Sequence, residues 1–258
     1  MPRTLTDDLG HPVTLPDGPI RRVVSLVPSL TEAIVASRRE ALVGATDWCT
    51  HPADLAVARV RGTKNPDRAA IAALDPDLVV AVQEENRELD VRRLREAGVP
   101  VWVSVIESVP QALRAMRQLL TEVLAWDAPE WLGQVEEAWG SDVVPPARAS
   151  VVAPIWRDPW MVVGSRTFTT DLLARAGLRN VFADHAERYP HVEVADLDTA
   201  GADVVLLPDE PYEFTTDDGP EAFTRTPTRL VSGRLLTWYG PALLEARHTL
   251  DRVEPAGR

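Results

Sequence analysis

One cysteine, Cys49, stands in the whole chain, which excludes an intramolecular disulfide and leaves the redox compartment open. No apolar run is long enough to span a bilayer. The first 28 residues open Pro-Arg-Thr-Leu-Thr-Asp-Asp and lack both an apolar core of secretory length and a lipidation-type cysteine. Read as written, the chain is expected in the cytoplasm; a chain trimmed of its leader would instead be exported. Basic residues are also scarce. Lys and Arg number 27 against 39 Asp and Glu, for a formal charge of −12. That balance repels a phosphate backbone or an anionic membrane and disfavours nucleic-acid binding, although Arg92, Arg93 and Arg95 form a local basic patch. No phosphate-cradling glycine loop, HExxH or GxSxG occurs.

What is present is ordinary globular composition: 258 residues, 45% hydrophobic and 26% charged, enough for one large domain or two small cores. The 22 prolines are spread as punctuation between elements. Residues 1–20 carry turn residues and read as a leading segment. Val23 to Val27 is a short buried strand ending at Pro28. Ser29 then caps a helix to about Ser37, with Glu32 at capping-box spacing. A short strand at 43–45, a loop at 46–51, a helix at 66–74 and the apolar strand 78–82 follow. A helix at 89–97 stops at Gly98, and a strand runs over 101–105. This alternation predicts a mostly parallel sheet with helices on both faces.

Residues 108–139 carry no strand signal. Leu113, Met116, Leu119, Leu120 and Val123 fall on one helical face, and Pro129 restarts a second helix. Alternation then resumes, with strands at 150–155, 204–207 and 228–231 and helices at 167–176 and 241–250. The fold class expected is α/β: two Rossmann-like lobes with mostly parallel sheets, 1–106 and 148–258, joined by a helical backbone connector, 107–147.

Arg22-Val-Val-Ser-Leu-Val-Pro-Ser-Leu-Thr-Glu32 resembles the opening of class III, helical-backbone substrate-binding proteins, the receptors for cobalamin, haem and iron-siderophores. Gly62-Thr-Lys-Asn-Pro66 and Ile71-Ala-Ala-Leu-Asp-Pro-Asp-Leu-Val-Val80 are similar to the family's second signature. Glu84-Glu85-Asn86-Arg87, residues 94–101 and residues 171–181 continue the pattern in order, so the likeness covers about 20–250. Trp48-Cys49 and Glu-Glu-Asn-Arg look most like cobalamin-binding members. The resemblance implies a stoichiometric binder of a corrinoid such as cobalamin, or of haem or an iron-siderophore, and no enzyme. No cofactor is implied beyond the ligand. Transporting members dock a permease through one glutamate per lobe; Ala69 and Ala195 stand at the corresponding positions here, which makes docking doubtful and suggests a member uncoupled from transport.

In such a fold the ligand lies between the lobes against the loops at the strands' carboxyl ends. The expected ligand-binding residues are Ser29, Trp48, Cys49, His51, Glu85, Asn86, Arg87, Trp156, Trp160, Tyr212, Trp238 and Tyr239. Flat aromatic faces suit a planar macrocycle, and Arg87 or Asn86 could hold an amide or carboxylate. Against this, Glu84 and Glu85 also suit a helix N-terminus, and any loop tryptophan could be core. Trp102, Trp126, Trp131 and Trp139 read as packing residues. Arg157, Asp158 and Arg166 are either ligand contacts or surface charges. His51 is a candidate metal or axial ligand, although the partners for zinc, with His185 and His191 in the other lobe, are too few. The enzyme alternative would use Cys49 with His51, Asp47 or Glu85 for nucleophilic or proton-transfer chemistry.

Overall fold

The computed structural model describes residues 1–255. The chain divides into two compact units. The first comprises Met1–Ile106, Gln111–Glu136 and Tyr239–Pro241; the second comprises Glu107–Pro110, Glu137–Trp238 and the chain from Ala242 onward. The helical segment is thus shared out between the units, its middle packing with the first.

In the first unit, β1 (Arg3–Thr6) and β2 (Pro12–Leu15) form an antiparallel hairpin where the sequence suggested only a turn-rich leading segment. Then come β3 (Val23–Ser25), α1 (Pro28–Arg38), β4 (Leu42–Ala45), β5 (Ala58–Arg59), β6 (Arg61–Gly62), β7 (Asn65–Pro66), α2 (Arg68–Ala73), β8 (Leu78–Val82), α3 (Glu88–Glu96) and β9 (Val101–Ser104). The main sheet has the order β5-β4-β3-β8-β9, and every pairing in it is parallel. Every residue of β8 and β9 is buried, as expected of strands covered on both faces. One core cluster joins Val24, Val79, Val101 and Val103 to Ile71 of α2 and Leu94 of α3.

Ser29 does not cap α1. Val27 holds the cap position without a side-chain bond, and Pro28 occupies the first turn. Proline lacks the N–H that a cap would satisfy and its fixed φ suits that place, so Ser29 falls inside the helix. Asp67 does cap α2, accepting from the Ala70 amide at 3.0 Å.

The helical segment starts as α4 (Val109–Arg117) and widens into a π-type turn over Gln118–Val123. Ala125, at φ +53°, ends it. Then α5 (Glu130–Trp139) begins after Pro129. The break therefore spans the turn before Pro129 and not the proline alone. Met116, Leu119, Leu120 and Val123 are buried as the 3/4 spacing requires.

The second unit contains β10 (Ala149–Val152), β11 (Pro154–Trp156), β12 (Met161–Val162), α6 (Phe168–Arg175), β13 (Leu178–Asn180), α7 (Val194–Leu197), β14 (Val204–Pro208), β15 (Thr228–Val231), α8 (Arg234–Thr237) and α9 (Ala242–Asp251). Its four-stranded sheet has the order β13-β10-β14-β15, again all parallel. The strand expected over 150–155 is in fact two elements, because the chain leaves the sheet after Val152 and turns into the β11–β12 hairpin. No described helix is long and apolar enough to cross a membrane.

Both sheets share one crossover logic. In the first, β3 lies between β4 and β8; in the second, β10 lies between β13 and β14. Successive connections run outward in opposite directions from that strand, so each sheet has a topological switch point with a crevice at its carboxyl edge. The loops beside these crevices follow β3 and β8 in the first unit, and β10 and β14 in the second.

Candidate functional site

At the first switch point, the loop after β8 begins with Gln83 and Glu84. Asn86 is buried there and works as a clip. Its Oδ1 accepts from the Val82 amide at 2.9 Å, while its Nδ2 donates to the carbonyls of Leu26, at 3.3 Å, and Thr63, at 3.1 Å. These three bonds tie the ends of β3 and β8 to the β6–β7 turn, so both donors of Asn86 are taken up by the protein itself. Arg87 is exposed and occupies the N-cap position of α3 without a side-chain capping bond.

Tyr239 enters this unit from the far end of the chain. It is buried, and its phenol donates to Glu85 Oε1 at 3.5 Å. Gly240, at φ +114°, lets the backbone settle on α1; a Cβ there would lie 3.4 Å from that of Ala33. Burial raises the Tyr239 pKa well above the usual phenol value, the Glu85 charge adds to this, and the Ser29 hydroxyl opposes it in part. The phenol is therefore a neutral donor at physiological pH. Sequence reading selected Ser29, Glu85 and Tyr239 separately; the structure brings them together.

The loop after β4 presents Trp48 at 66% exposure, with Asp47 and His51 also exposed. Trp48 lies along the β6–β7 turn: a Cβ on Gly62 would stand 3.2 Å from its Nε1. Arg59, which sequence reading missed, donates to the carbonyls of Thr46 (2.8 Å) and Cys49 (2.9 Å) and pins the loop. Cys49 points inward and is fully buried. Thr31 donates to its Sγ at 3.0 Å, and the Thr46 hydroxyl lies 3.1 Å away. Burial raises its pKa, and these hydroxyls offset the rise only in part.

A buried, protonated thiol is neither an exposed ligand contact nor a ready nucleophile, and the catalytic alternative loses its central group. His51 Nδ1 lies 3.3 Å from Thr50 Oγ1. Among the described residues, no three His, Cys, Asp or Glu side chains are grouped to hold a metal ion.

At the second switch point, an aromatic row runs outward from the core. Trp160 is 8% exposed and stacks on Phe214 at 5.6 Å, with Phe223 edge-on at 5.4 Å. It belongs to the hydrophobic core, which corrects its place among the ligand residues. Phe214 touches Tyr212 at 4.7 Å, and Tyr212 meets Trp156 edge-on at 5.6 Å. Trp156 ends the row at 45% exposure. Tyr212 donates to Asp218 Oδ2 at 2.6 Å. Arg157 pairs with Asp218 and, at 2.5 Å, with Glu221 Oε1, so its charge is spent locally and not held for a ligand carboxylate. Arg166 donates to the Ala186 carbonyl at 3.1 Å. Trp238 is 5% exposed, with the Arg234 guanidinium 5.9 Å from its ring centre, and is a packing residue as well.

Of the four loop tryptophans, Trp48 and Trp156 are thus the exposed pair. Trp102, Trp126 and Trp139 are buried as expected, and Trp126 and Trp139 each donate to a backbone carbonyl. Asp218 and Glu221 were missed by the sequence reading, because an Asp-Asp-Gly turn looks like any solvated loop.

No protein-family model matches the chain. Among curated proteins, it is 23% identical over 204 residues to the vitamin B12-binding protein of Vibrio parahaemolyticus, covering 75% of this chain and 73% of that one. It is 29% identical over 181 residues to the vitamin B12-binding protein of Salmonella choleraesuis, covering 66% of each. Over two thirds to three quarters of its length the chain is thus similar to vitamin B12-binding proteins. Among solved structures, the periplasmic vitamin B12 binding protein BtuF of Vibrio cholerae matches at TM-score 0.70 and 17% identity, over 90% of this chain and 96% of that one. The periplasmic heme-binding protein BhuT in complex with two hemes matches at 0.71 and 23%, over 90% and 96%. These last two likenesses carry the two-lobed α/β fold.

The relatives are named as binding proteins and not as enzymes, in agreement with the non-catalytic reading. Both solved structures are named periplasmic, which contradicts the expected cytoplasmic location. Ala69 and Ala195, at the positions where docking glutamates were expected, are both exposed.

Proposed function

We propose that the chain binds a corrinoid of the cobalamin type, with Trp48 and Trp156 as its aromatic contacts. Binding of a metal-chelate solute fits the relatives, which are named for vitamin B12 or heme. The observation that favours a corrinoid among such chelates is the charge of the switch-point loops. The loop after β14 carries Asp209, Glu210, Glu213, Asp217, Asp218 and Glu221. The one cation in 153–160 and 209–221 is Arg157, which is neutralised by Asp218 and Glu221. Beside the first crevice, Glu84 and Glu85 share their loop with Arg87, and Lys64 donates to the Glu84 carbonyl at 2.7 Å, so the acidic excess lies in the loops of the second unit. A dicarboxylate tetrapyrrole or an anionic ferric siderophore would bring like charge to these loops, whereas a corrinoid rimmed by amides would not.

Intrinsic fluorescence titration with cyanocobalamin, haem and a panel of ferric siderophores tests the proposal. Saturable quenching by cyanocobalamin at one ligand per chain is expected. Saturable binding of haem or a siderophore, with none of cyanocobalamin, would overturn the assignment.

A further inference from the structure

Trp156 is a large apolar side chain standing at the surface beside the second switch point, and its ring edge meets Tyr212. Left to itself, a half-exposed indole samples several rotamers and gives up that freedom when a solute lands on it. Here the neighbours are tied down. Tyr212 donates to one oxygen of Asp218, Oδ2, at 2.6 Å. Arg157, the residue after Trp156, pairs with the other, Oδ1. Arg157 is held a second time by Glu221, and its guanidinium lies 5.5 Å from the centre of the buried Trp160 ring. Glu221 in turn accepts from the Gly219 amide at 2.6 Å. Gly219, at φ +120°, has no room for a Cβ, which would stand 2.6 Å from Phe214 Cδ1, so the backbone beside Asp218 packs directly on the aromatic row.

We propose that Asp218 is a positioning residue for ligand binding. By holding Tyr212, whose ring meets Trp156, with one carboxylate oxygen and Arg157, the next residue in the chain, with the other, it fixes Trp156 in its solute-ready orientation. Asp218 acts through Trp156 and makes no ligand contact itself. An isolated surface ion pair contributes little, but here one carboxylate bridges two side chains that are each also packed against another aromatic ring. The inference rests on the reading that Trp156 meets the solute, so the experiment has one arm that needs no ligand.

In that arm, protein labelled with 5-fluorotryptophan is followed by 19F NMR, the Trp156 resonance being assigned by its loss in Trp156→Phe. Asp218→Ala should move the Trp156 line towards the shift of free fluorotryptophan, while the line of Trp102, buried in β9 of the first unit, stays in place. Asp218→Asn, which keeps an acceptor for the phenol but loses the charge that holds Arg157, should move it part of the way. It also serves if the alanine variant folds poorly. In the second arm, Asp218→Ala should weaken cyanocobalamin binding about tenfold, the scale of one anchor's pre-organisation. In the Trp156→Ala background, the same substitution should change affinity less than about twofold.

A Trp156 resonance unmoved in both Asp218 variants would overturn the proposal. So would losses from Asp218→Ala and Trp156→Ala that multiply in the double variant. If the wild-type protein binds no cyanocobalamin, the functional reading fails, and the NMR arm still decides the positioning.

Discussion

At the scale of single residues, burial separates tryptophans that the sequence leaves equivalent. Trp48 and Trp156 keep 66% and 45% of their surface, whereas Trp160 and Trp238 keep 8% and 5%. Exposed, stiff aromatic faces are what a binding surface uses as anchors, so Trp48→Ala and Trp156→Ala should each weaken cyanocobalamin binding by about 1–3 kcal/mol. Fluorescence titration measures this, and unchanged affinity in both variants would remove the aromatic-contact idea. Trp160→Ala should instead lower the melting temperature, because it empties a core position stacked on Phe214.

Cys49 offers a separate test. Its thiol is buried and its pKa is pushed up, first by that burial. Native protein should therefore react with a thiol reagent only slowly, even when the pH is raised to about 9, beyond the ordinary thiol value of about 8.5. Denaturant should release full reactivity. Rapid labelling of the native protein would contradict the inward orientation.

At the scale of elements, two aspartates illustrate how side chains replace missing backbone partners. Asp67 caps the six-residue helix α2, and its replacement by alanine should cost about 1 kcal/mol in a denaturation curve. Asp198, just after α7, staples the segment leading to β15. It accepts from the amides of Thr224 (2.9 Å) and Thr226 (2.8 Å) and from that of Arg225. Desolvation opposes its ionisation, but these amides and the Thr224 hydroxyl outweigh it and hold the carboxyl far below the usual range.

A carboxyl whose pKa is depressed by folding contributes stability above its unfolded value and loses it as pH falls through the folded one. Melting temperature should therefore drop as the wild-type protein is acidified below about pH 4, the unfolded value. Asp198→Asn should melt lower at neutral pH and lose less over the same acid range. Parallel acid profiles for the two proteins would show that Asp198 does not carry the effect.

At the scale of the molecule, the net charge of −12 and the acidic loop after β14 lead the proposed function to expect selection by ligand charge. Salt screens charge over about 10 Å at 0.1 M, so raising ionic strength should strengthen whatever weak haem binding exists and leave cyanocobalamin binding nearly unchanged. Titrations at two salt concentrations would show it, and cyanocobalamin binding that weakened steeply with salt would contradict the neutral-solute reading. A solute bound only by the folded state adds about 2.7 kcal/mol of stability at a hundredfold excess over Kd, which calorimetry reads as a raised melting temperature.

The sequence by itself determined the alternation of strands and helices, the two-lobe plan and the helical stretch between. Those features follow from local periodicity: the unbroken apolar run 78–82 reads as a buried strand in any context, and Thr228–Val231 is bounded by its own turn residues. The β1–β2 hairpin escaped because its strands are short and only alternately buried, so turn residues dominated the signal. Only the tertiary structure decided which of the candidate site residues are buried and which stand at the surface. Asn86, Cys49, Trp160 and Trp238 belong to polar and aromatic types that serve equally in a core or on a surface. The choice between those roles is made by partners far along the chain: Leu26 for Asn86, Thr31 for Cys49, and Phe214 and Phe223 for Trp160. Local sequence carries propensity, whereas burial is a property of neighbours that only folding brings into contact.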